Sequence, residues 1–262
     1  MKSKNLQYAF YVEYYKELPA IIRKREANSH SERDEEKDWE AKKYKQLNRD
    51  ILRIAWDTDG SMKKLDKCDG ALSVFYLQSS YPGILIGTGH EHGVKGKGEI
   101  GMGFTFDYVT GLPYLPGSSL KGILRFGFKQ EDYIQEVIKD VLHIELSAGE
   151  IRELEGKIFE GESAKDRFIF YDAIIGNNRG GMPLLALDTI APHTKDGLKE
   201  PNPITFLRIC PGVKFHFVFR LHAIRLSEGK CIQRRDILII FKCILEDLGI
   251  GAKTNLGYGV LE

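Results

Sequence analysis

The feature that most constrains the fold is an irregular alternation of strand-like and helix-like segments along residues 71–248. Runs rich in apolar, β-branched and aromatic side chains predict strands at 71–77, 104–109, 168–175, 184–190, 204–209 and 213–224. A helical period of apolar side chains predicts helices at 118–128, 131–158 and 233–248. Several strands follow one another directly, which favours an α+β fold over a doubly wound sheet. The order fits a β-α-β-β-α-β core with insertions.

The first part of the chain has a different composition. Residues 6–22 alternate aromatic with charged side chains, which predicts a helix that ends near Pro19. Residues 33–56 predict a mostly exposed helix with many i,i+4 ion pairs. The exposed face of that helix is either solvated or docks a partner. We therefore expect a helical N-terminal region at residues 1–66 and a second domain at residues 67–262.

Composition limits the classes of protein. The chain has 262 residues, of which 29% are charged and 42% hydrophobic, and its net charge is +1. A free-standing nucleic-acid binder is usually more basic, so RNA binding here requires local patches or partner subunits. The four cysteines form no CxxC pair, which is typical of reduced thiols rather than a disulfide framework. We find neither a signal peptide nor an apolar run of about 18 residues, and we predict a cytoplasmic protein with no membrane partner.

The C-terminal stretch is rich in glycine. Its four glycines and the polar core between them are Gly249, Gly251, Gly257 and Gly259, and Lys253, Thr254 and Asn255. Glycine allows positive φ and close approach of a ligand to the backbone, and the polar core offers donors to an anion. The stretch is not a Walker A loop, because Ala252 precedes Lys253. A dinucleotide fingerprint opens a helix, whereas this loop follows one. It is either a turn before a last strand or an anion-binding loop.

A second motif runs from Leu112 to Arg125. A Pro-Gly turn precedes Ser118 and Ser119, either of which is a good helix N-cap. Lys121 and Arg125 are four residues apart, so both lie on one face of the predicted helix. The backbone N–H groups, hydroxyls and lysine at this helix start favour anion binding. The alternative is an ordinary amphipathic helix with a solvated basic edge.

These two motifs resemble the RAMP superfamily of CRISPR proteins. The resemblance is carried by LPGSSLKGILR at 115–125 and GIGAKTNLGYG at 249–259, and it covers residues 70–262. Within the superfamily, the segments FYDA at 170–173 and LDTIAPHT at 187–194 resemble the sixth Cmr-type subunit of type III-B effector complexes. The resemblance implies a ferredoxin-like, RRM-like domain.

The resemblance also implies a function. It implies a non-catalytic subunit that binds the guide RNA toward its 3′ part, lies near target RNA and packs against other Cmr-type RAMP subunits. Lys121 and Arg125 are then expected to contact phosphates, and the loop at 249–259 is expected to pack against the same strand. A subunit that follows the RNA backbone reads charge and shape rather than base edges. We expect no cofactor.

The glycine-rich stretch at 87–103 is open to several interpretations. Its GxGxxG at 96–101 precedes a strand-like run rather than a helix, which argues against dinucleotide binding. His90 and His92 form an HxH pair, but the sequence offers no obvious third ligand, and we predict no metal site. We interpret the stretch as an arm in which Lys95 and Lys97 contact RNA or a neighbouring subunit.

His193 is the centre of the main rival hypothesis. We assign it to RNA contact, but some RAMP proteins process guide RNA without metal, using a histidine as general base. In that alternative His193 or His90 is the base and Lys253 stabilises the developing charge. Asp172 and Asp188 each follow an apolar run, where turn or hydrogen-bonding roles are more common than metal-assisted cleavage. A third alternative is a pure protein-interaction subunit.

Overall fold

The computed structural model describes residues 5–16, 18–27, 33–56, 58, 72–89, 96, 98–161, 167–176, 182–191 and 203–262. Contacts divide the chain into two compact units, neither of which is one continuous segment. Unit 1 comprises residues 1–57, 85–113 and 178–210, and unit 2 comprises 58–84, 114–177 and 211–262. The predicted boundary between residues 66 and 67 lies outside the described residues, and it stays a prediction.

The fold is a mixture of helices and sheet. The helices of ten or more residues are α1 Leu18–Ala27, α2 Arg33–Leu52, α3 Gly117–Phe128, α4 Glu131–Leu142, α5 Ala148–Phe159 and α6 Arg234–Leu248. The strands are β1 Ser73–Gln78, β2 Tyr114–Leu115, β3 Ile169–Phe170, β4 Ala173–Ile175, β5 Leu185–Ile190, β6 Ile204–Ile209, β7 Lys214–Arg220, β8 Ile224–Arg225 and β9 Cys231–Ile232. Apart from the run at 104–109, every predicted strand segment contains an observed strand.

Unit 2 is built on an antiparallel sheet. Its strand order is β1-β7-β4-β2, and β3 pairs with another part of β7. The chain end extends the β1 edge, because the Gln78 N–H donates to the Glu262 carbonyl at 2.7 Å and the reverse bond is 2.9 Å. One face of the sheet carries stacked phenylalanines, with Phe75 and Phe217 centroids 5.1 Å apart. Phe241 of α6 packs on this face, 5.3 Å from Phe219, so the helices cover it.

The predicted helix at 131–158 is two helices, α4 and α5. His143 ends α4 in the left-handed conformation, at φ 54°. Ser147 then starts α5 with a capping box: its hydroxyl accepts from the Glu150 N–H, and the Glu150 carboxylate accepts from the Ser147 N–H. This pair satisfies donors that a continuous helix would have bonded internally. The expectation of one long helix is therefore wrong.

In unit 1, helix α2 is amphipathic rather than mostly exposed. Tyr44, Asn48 and Ile51 lie on one buried face. The Tyr14 hydroxyl donates to Asn48 Oδ1 at 2.7 Å, and the Ile100 N–H donates to the same hydroxyl at 3.0 Å. Asn48 in turn donates to the Gly98 carbonyl at 2.9 Å. Buried polar groups need such partners, so this face of α2 packs on its own chain.

Two other local expectations in unit 1 are wrong. The segment at 6–22 is helical as predicted but is not one helix ending near Pro19: Leu6–Tyr8 is α-helical, Ala9–Glu13 is a π-helix, and α1 then begins at Leu18. Pro19 lies in the first turn of α1, where the missing N–H costs no hydrogen bond. The run at 104–109 forms no strand, and Phe106 makes only an isolated bridge to Pro113. The Asp107 carboxylate accepts from the Thr110 N–H and hydroxyl, each at 2.7 Å. That local bonding favours a turn over a ladder.

Candidate nucleic-acid interface

The start of helix α3 already holds an anion from its own chain. The Gly117 N–H donates to Asp172 Oδ1 at 2.7 Å, and a carboxylate is stabilised at a helix N-terminus. Pro116 occupies the N-cap position, while Ser118 and Ser119 are exposed in the first turn. The expectation that a serine caps this helix is therefore wrong. The serine hydroxyls remain exposed to solvent, next to a helix terminus that is partly satisfied internally.

The two basic side chains of α3 have different partners. Arg125 donates to Glu155 at 2.7 Å and to Glu160 at 2.6 Å. These hydrogen bonds raise the pKa of Arg125, and the one that Glu155 accepts has the largest effect. Lys121 instead lies over the Phe170 ring, with Nζ 5.9 Å from the centroid, and no described carboxylate lies within ion-pair distance of it. Of the two cations, Lys121 is thus the better placed to pair with an external phosphate.

Two of the C-terminal glycines close the base of the loop. Gly249 has φ 66° and ψ −170°, a region that essentially only glycine adopts. A Cβ on Gly259 would lie 2.1 Å from the Ile250 carbonyl oxygen, and one on Gly249 would lie 2.6 Å from the Gly259 oxygen. The Ile250 N–H donates to the Gly259 carbonyl at 2.9 Å. These two glycines are therefore explained by close approach of the chain to itself rather than to a ligand.

The tip of the loop is exposed and carries the polar core. Lys253 adopts the left-handed conformation, at φ 61°, and a 3₁₀ turn follows at Thr254–Leu256. Thr254 and Asn255 are exposed, and Gly251 and Gly257 have φ of 104° and 88°. The Gly257 N–H donates to the Thr254 carbonyl at 2.9 Å, which holds the turn. A fixed turn of this kind exposes a hydroxyl and an amide next to the half-buried Lys253.

The turn at residues 81–83 borders this loop and is hydrogen-bonded to it. The Gly259 N–H donates to the Gly83 carbonyl at 2.8 Å, and the Ser80 N–H donates to the Val260 carbonyl at 3.0 Å. Tyr81 is 80% exposed, which places a solvent-facing aromatic ring on the segment bonded to the loop. Only the Pro-Gly pair at 82–83 marks this turn in the sequence, and it gives no sign of the pairing with residues 259–260.

The motifs at 115–125 and 249–259 lie in unit 2, where helix α3, which contains the first, packs on helix α6, which ends just before the second. Gly127 allows this packing, because a Cβ there would lie 2.8 Å from the Ile244 side chain. The contacts among described residues include none that joins Lys121 directly to the loop tip. Other candidates lie outside the described residues: Lys95, Lys97, His90, His92 and His193.

The two candidate aspartates, Asp172 and Asp188, each have a partner within the chain. Asp172 holds the start of α3, and Asp188 pairs with Arg208 at 3.4 Å in unit 1. The described residues contain no group of three His, Cys, Asp or Glu that could hold a metal ion. Among these residues, no helix is long and apolar enough to cross a membrane.

This combination of a mixed fold, a helix after an LPGS turn and a C-terminal glycine loop defines a class. Residues 76–262 match the model of the RAMP superfamily, and the chain belongs to that superfamily. Within it, the chain is similar to proteins named as subunit Cmr6 of CRISPR systems. It is 31% identical over 171 residues to Cmr6 of Saccharolobus solfataricus, covering 64% of this chain and 50% of that protein.

A second relative has the same name, and one solved structure has a similar fold. Cmr6 of Pyrococcus furiosus is 27% identical over 237 residues, covering 65% of this chain and 68% of that protein. A chain in the cryo-EM structure of the type III-B Cmr-beta bound to cognate target RNA has a similar fold, with a TM-score of 0.58 and 23% identity. That similarity covers 90% of this chain and 75% of the other. The chain spans half the length of the S. solfataricus relative.

Proposed function

We propose that this protein is a non-catalytic, RNA-binding subunit of a type III-B CRISPR (Cmr) effector complex. In this role it contacts the guide RNA backbone toward its 3′ part and packs on neighbouring Cmr-type subunits, in cytoplasmic antiviral defence. The similarity to proteins named Cmr6 supports the assignment to such a complex. The fold similarity to a chain of an RNA-bound Cmr-beta structure is consistent with it.

The observation that carries the proposal is the polar tip of the C-terminal loop at residues 251–257, which is exposed at residue 251 and at 254–256. Lys253 stands in the left-handed conformation between glycines of positive φ, and Thr254 and Asn255 beside it are exposed. An ammonium, a hydroxyl and an amide on a fixed turn suit repeated phosphates, and they carry no base-specific pattern. The loop base is pinned by the Ile250–Gly259 hydrogen bond, so binding RNA does not require ordering the whole loop.

We interpret unit 2 as the ferredoxin-like domain that the resemblance implies. Its antiparallel strand order, from the chain end at Leu261 through β1 and β7 to β4, supports this interpretation. So does the succession of β1, α3, β4, β7, α6 and the chain end, which is a β-α-β-β-α-β order.

Near-neutral charge predicts how the subunit holds RNA. With a net charge of +1, the isolated chain is expected to bind RNA weakly and to be retained strongly within an assembly, where several subunits add phosphate contacts. The proposed partners of this chain are then the guide RNA, the target RNA next to it and the neighbouring subunits.

The salt dependence of RNA binding tests the proposal. The plot of log K against log salt has a negative slope, and removing one lysine–phosphate ion pair from a complex with single-stranded RNA lowers the magnitude of that slope by about 0.7. We expect Lys253→Gln and Lys121→Gln each to lower it by this amount. Arg125→Gln is expected to change it less, because two carboxylates already hold that guanidinium. Lys139→Gln, at an exposed ion pair with Glu145, is the control. A slope unchanged in both lysine variants would refute direct phosphate binding by these side chains.

A further inference from the structure

The second face of the unit 2 sheet carries an aromatic group in mid-strand. Tyr76 of β1 lies directly opposite His216 of β7, and directly paired residues of antiparallel strands share a face. The two rings meet edge to face, with centroids 5.2 Å apart and an angle of 63°. Tyr76 is nevertheless 57% exposed. A tyrosine that packs against a neighbour and still presents most of its side chain to solvent provides a fixed stacking surface.

Sheet geometry explains why Tyr76 is outside the core. Successive strand residues point to opposite faces, and the neighbouring Phe75 stacks on Phe217 in the helix-covered face. The core therefore does not require an aromatic residue at position 76. An exposed large ring in the middle of a paired strand is more informative than one in a loop, because the sheet holds its backbone in place.

The charged side chains of the strands on this face are positive, and one acidic residue, Glu262, lies at the β1 edge opposite Gln78. Lys214 lies one pair along from Tyr76, and its Nζ is 5.3 Å from the tyrosine centroid. Arg220, at the other end of β7, is exposed and shares the face. The paired positions on this side include no Asp or Glu; in these described strands they are Val74, Tyr76, Gln78, Tyr114, Ile169, Ile174, Lys214, His216, Val218 and Arg220. A polyanion suits such a face better than a basic partner.

We propose that this face binds a nucleotide of single-stranded RNA, with its base stacked on Tyr76 and its phosphate paired with Lys214. Every base has a π-face, so stacking on tyrosine tolerates any sequence. The long lysine side chain can leave the ring to the base and keep its ammonium near the same nucleotide. The inference rests on the proposed RNA-binding function, but it adds a base-stacking site to the backbone contacts of the C-terminal loop.

Stacking and charge give different signatures in one binding assay. Full-length protein is titrated into fluorescent single-stranded RNA at several salt concentrations upward from about 50 mM. We expect Tyr76→Ala to weaken binding about 5- to 100-fold with the salt slope unchanged, because stacking releases no counterion. Tyr76→Phe keeps the ring and is expected to bind within about twofold of wild type. Lys214→Gln is expected to lower the slope by about 0.7. Tyr108→Ala, at an 83% exposed tyrosine of unit 1, is the control.

The other outcomes separate this inference from the function on which it rests. If wild-type protein binds RNA and Lys253→Gln lowers the slope, but Tyr76→Ala binds normally, the inference is overturned and the proposed function stands. If Tyr76→Ala instead loses a neighbouring subunit on co-purification with RNA affinity unchanged, the face binds protein and the inference is also overturned. If wild-type protein binds no RNA, both fail. Circular dichroism checks that each variant folds. If Tyr76→Ala unfolds, the single variants Tyr76→Phe and Lys214→Gln still decide the test through their expected affinity and salt slope.

Discussion

Replacing Gly259 by alanine tests whether the C-terminal loop is held by contact of the chain with itself. Gly259 is buried, has φ 84° and donates its N–H to the Gly83 carbonyl at 2.8 Å. Its own carbonyl accepts from the Ile250 N–H at 2.9 Å. If these bonds fix the loop, a single added methyl group should release it without changing any charge.

The expected loss has two parts. Alanine in the left-handed region costs about 1–2 kcal/mol. Its Cβ would also lie 2.1 Å from the Ile250 oxygen, whereas a carbon–oxygen contact needs about 3.3 Å. The two backbones must therefore separate, which breaks the Ile250–Gly259 hydrogen bond at a further cost of about 1–3 kcal/mol. We expect Gly259→Ala to lower the free energy of unfolding by about 2–5 kcal/mol in total.

Gly257 supplies a matched control. Its φ is 88°, so alanine there has the same left-handed cost, but its Cβ would meet nothing closer than Pro82 Cδ at 3.9 Å. Urea unfolding followed by circular dichroism gives both free energies, and hydrogen exchange at the Ile250 amide reports the loop directly. Gly259→Ala should also weaken RNA binding with an unchanged salt slope. A difference between the two variants below about 0.5 kcal/mol, with the Ile250 amide still protected, would refute the reasoning.

Three further predictions address pH dependence, unit 1 and catalysis. Hydrogen bonds to the Glu153 carboxylate, of which the one from Lys157 has the largest effect, lower its pKa from 4.5 to about 2. The stability that this carboxylate adds to the folded protein is therefore complete above about pH 4.5 and is lost as pH falls through about 2. The thermal advantage of wild type over Glu153→Gln should therefore vanish in that window, and an advantage independent of pH would contradict this cause. The Tyr14 hydroxyl donates to the buried side-chain amide of Asn48 and accepts from a backbone N–H. Tyr14→Phe should therefore lower the free energy of unfolding in urea by about 1–3 kcal/mol. Tyr8→Phe is the control and should lower it little, because the Tyr8 ring is 49% exposed. Wild-type protein with repeat RNA in EDTA should show no sequence-specific cutting on a gel; cutting that His193→Ala abolishes would overturn the non-catalytic proposal.

Segments with one strong local signal were predicted correctly. The apolar period at 118–128 and 233–248 gave helices α3 and α6, and the run at 204–209 gave β6 with the same bounds. In each of these segments the local apolar pattern and the tertiary contacts favour the same structure. Two of the wrong expectations, at His143 and Asp107, fall where a single φ value or a short-range hydrogen bond decides the outcome. Two others, the exposure of α2 and the cap of α3, were decided by contacts distant in sequence.

The sequence by itself determined which residue types could bind an anion and that the chain is a RAMP protein, because glycine spacing and polar side chains are written in the local order of residues. Only the tertiary structure decided which of those groups are available. Glu155 and Glu160 engage Arg125, and Asp172 engages the start of α3. Strand register likewise brought Tyr76, His216 and Lys214 together. Those partners are distant in sequence, and a short-range pattern contains no information about which distant carboxylate or ring the fold will bring into contact.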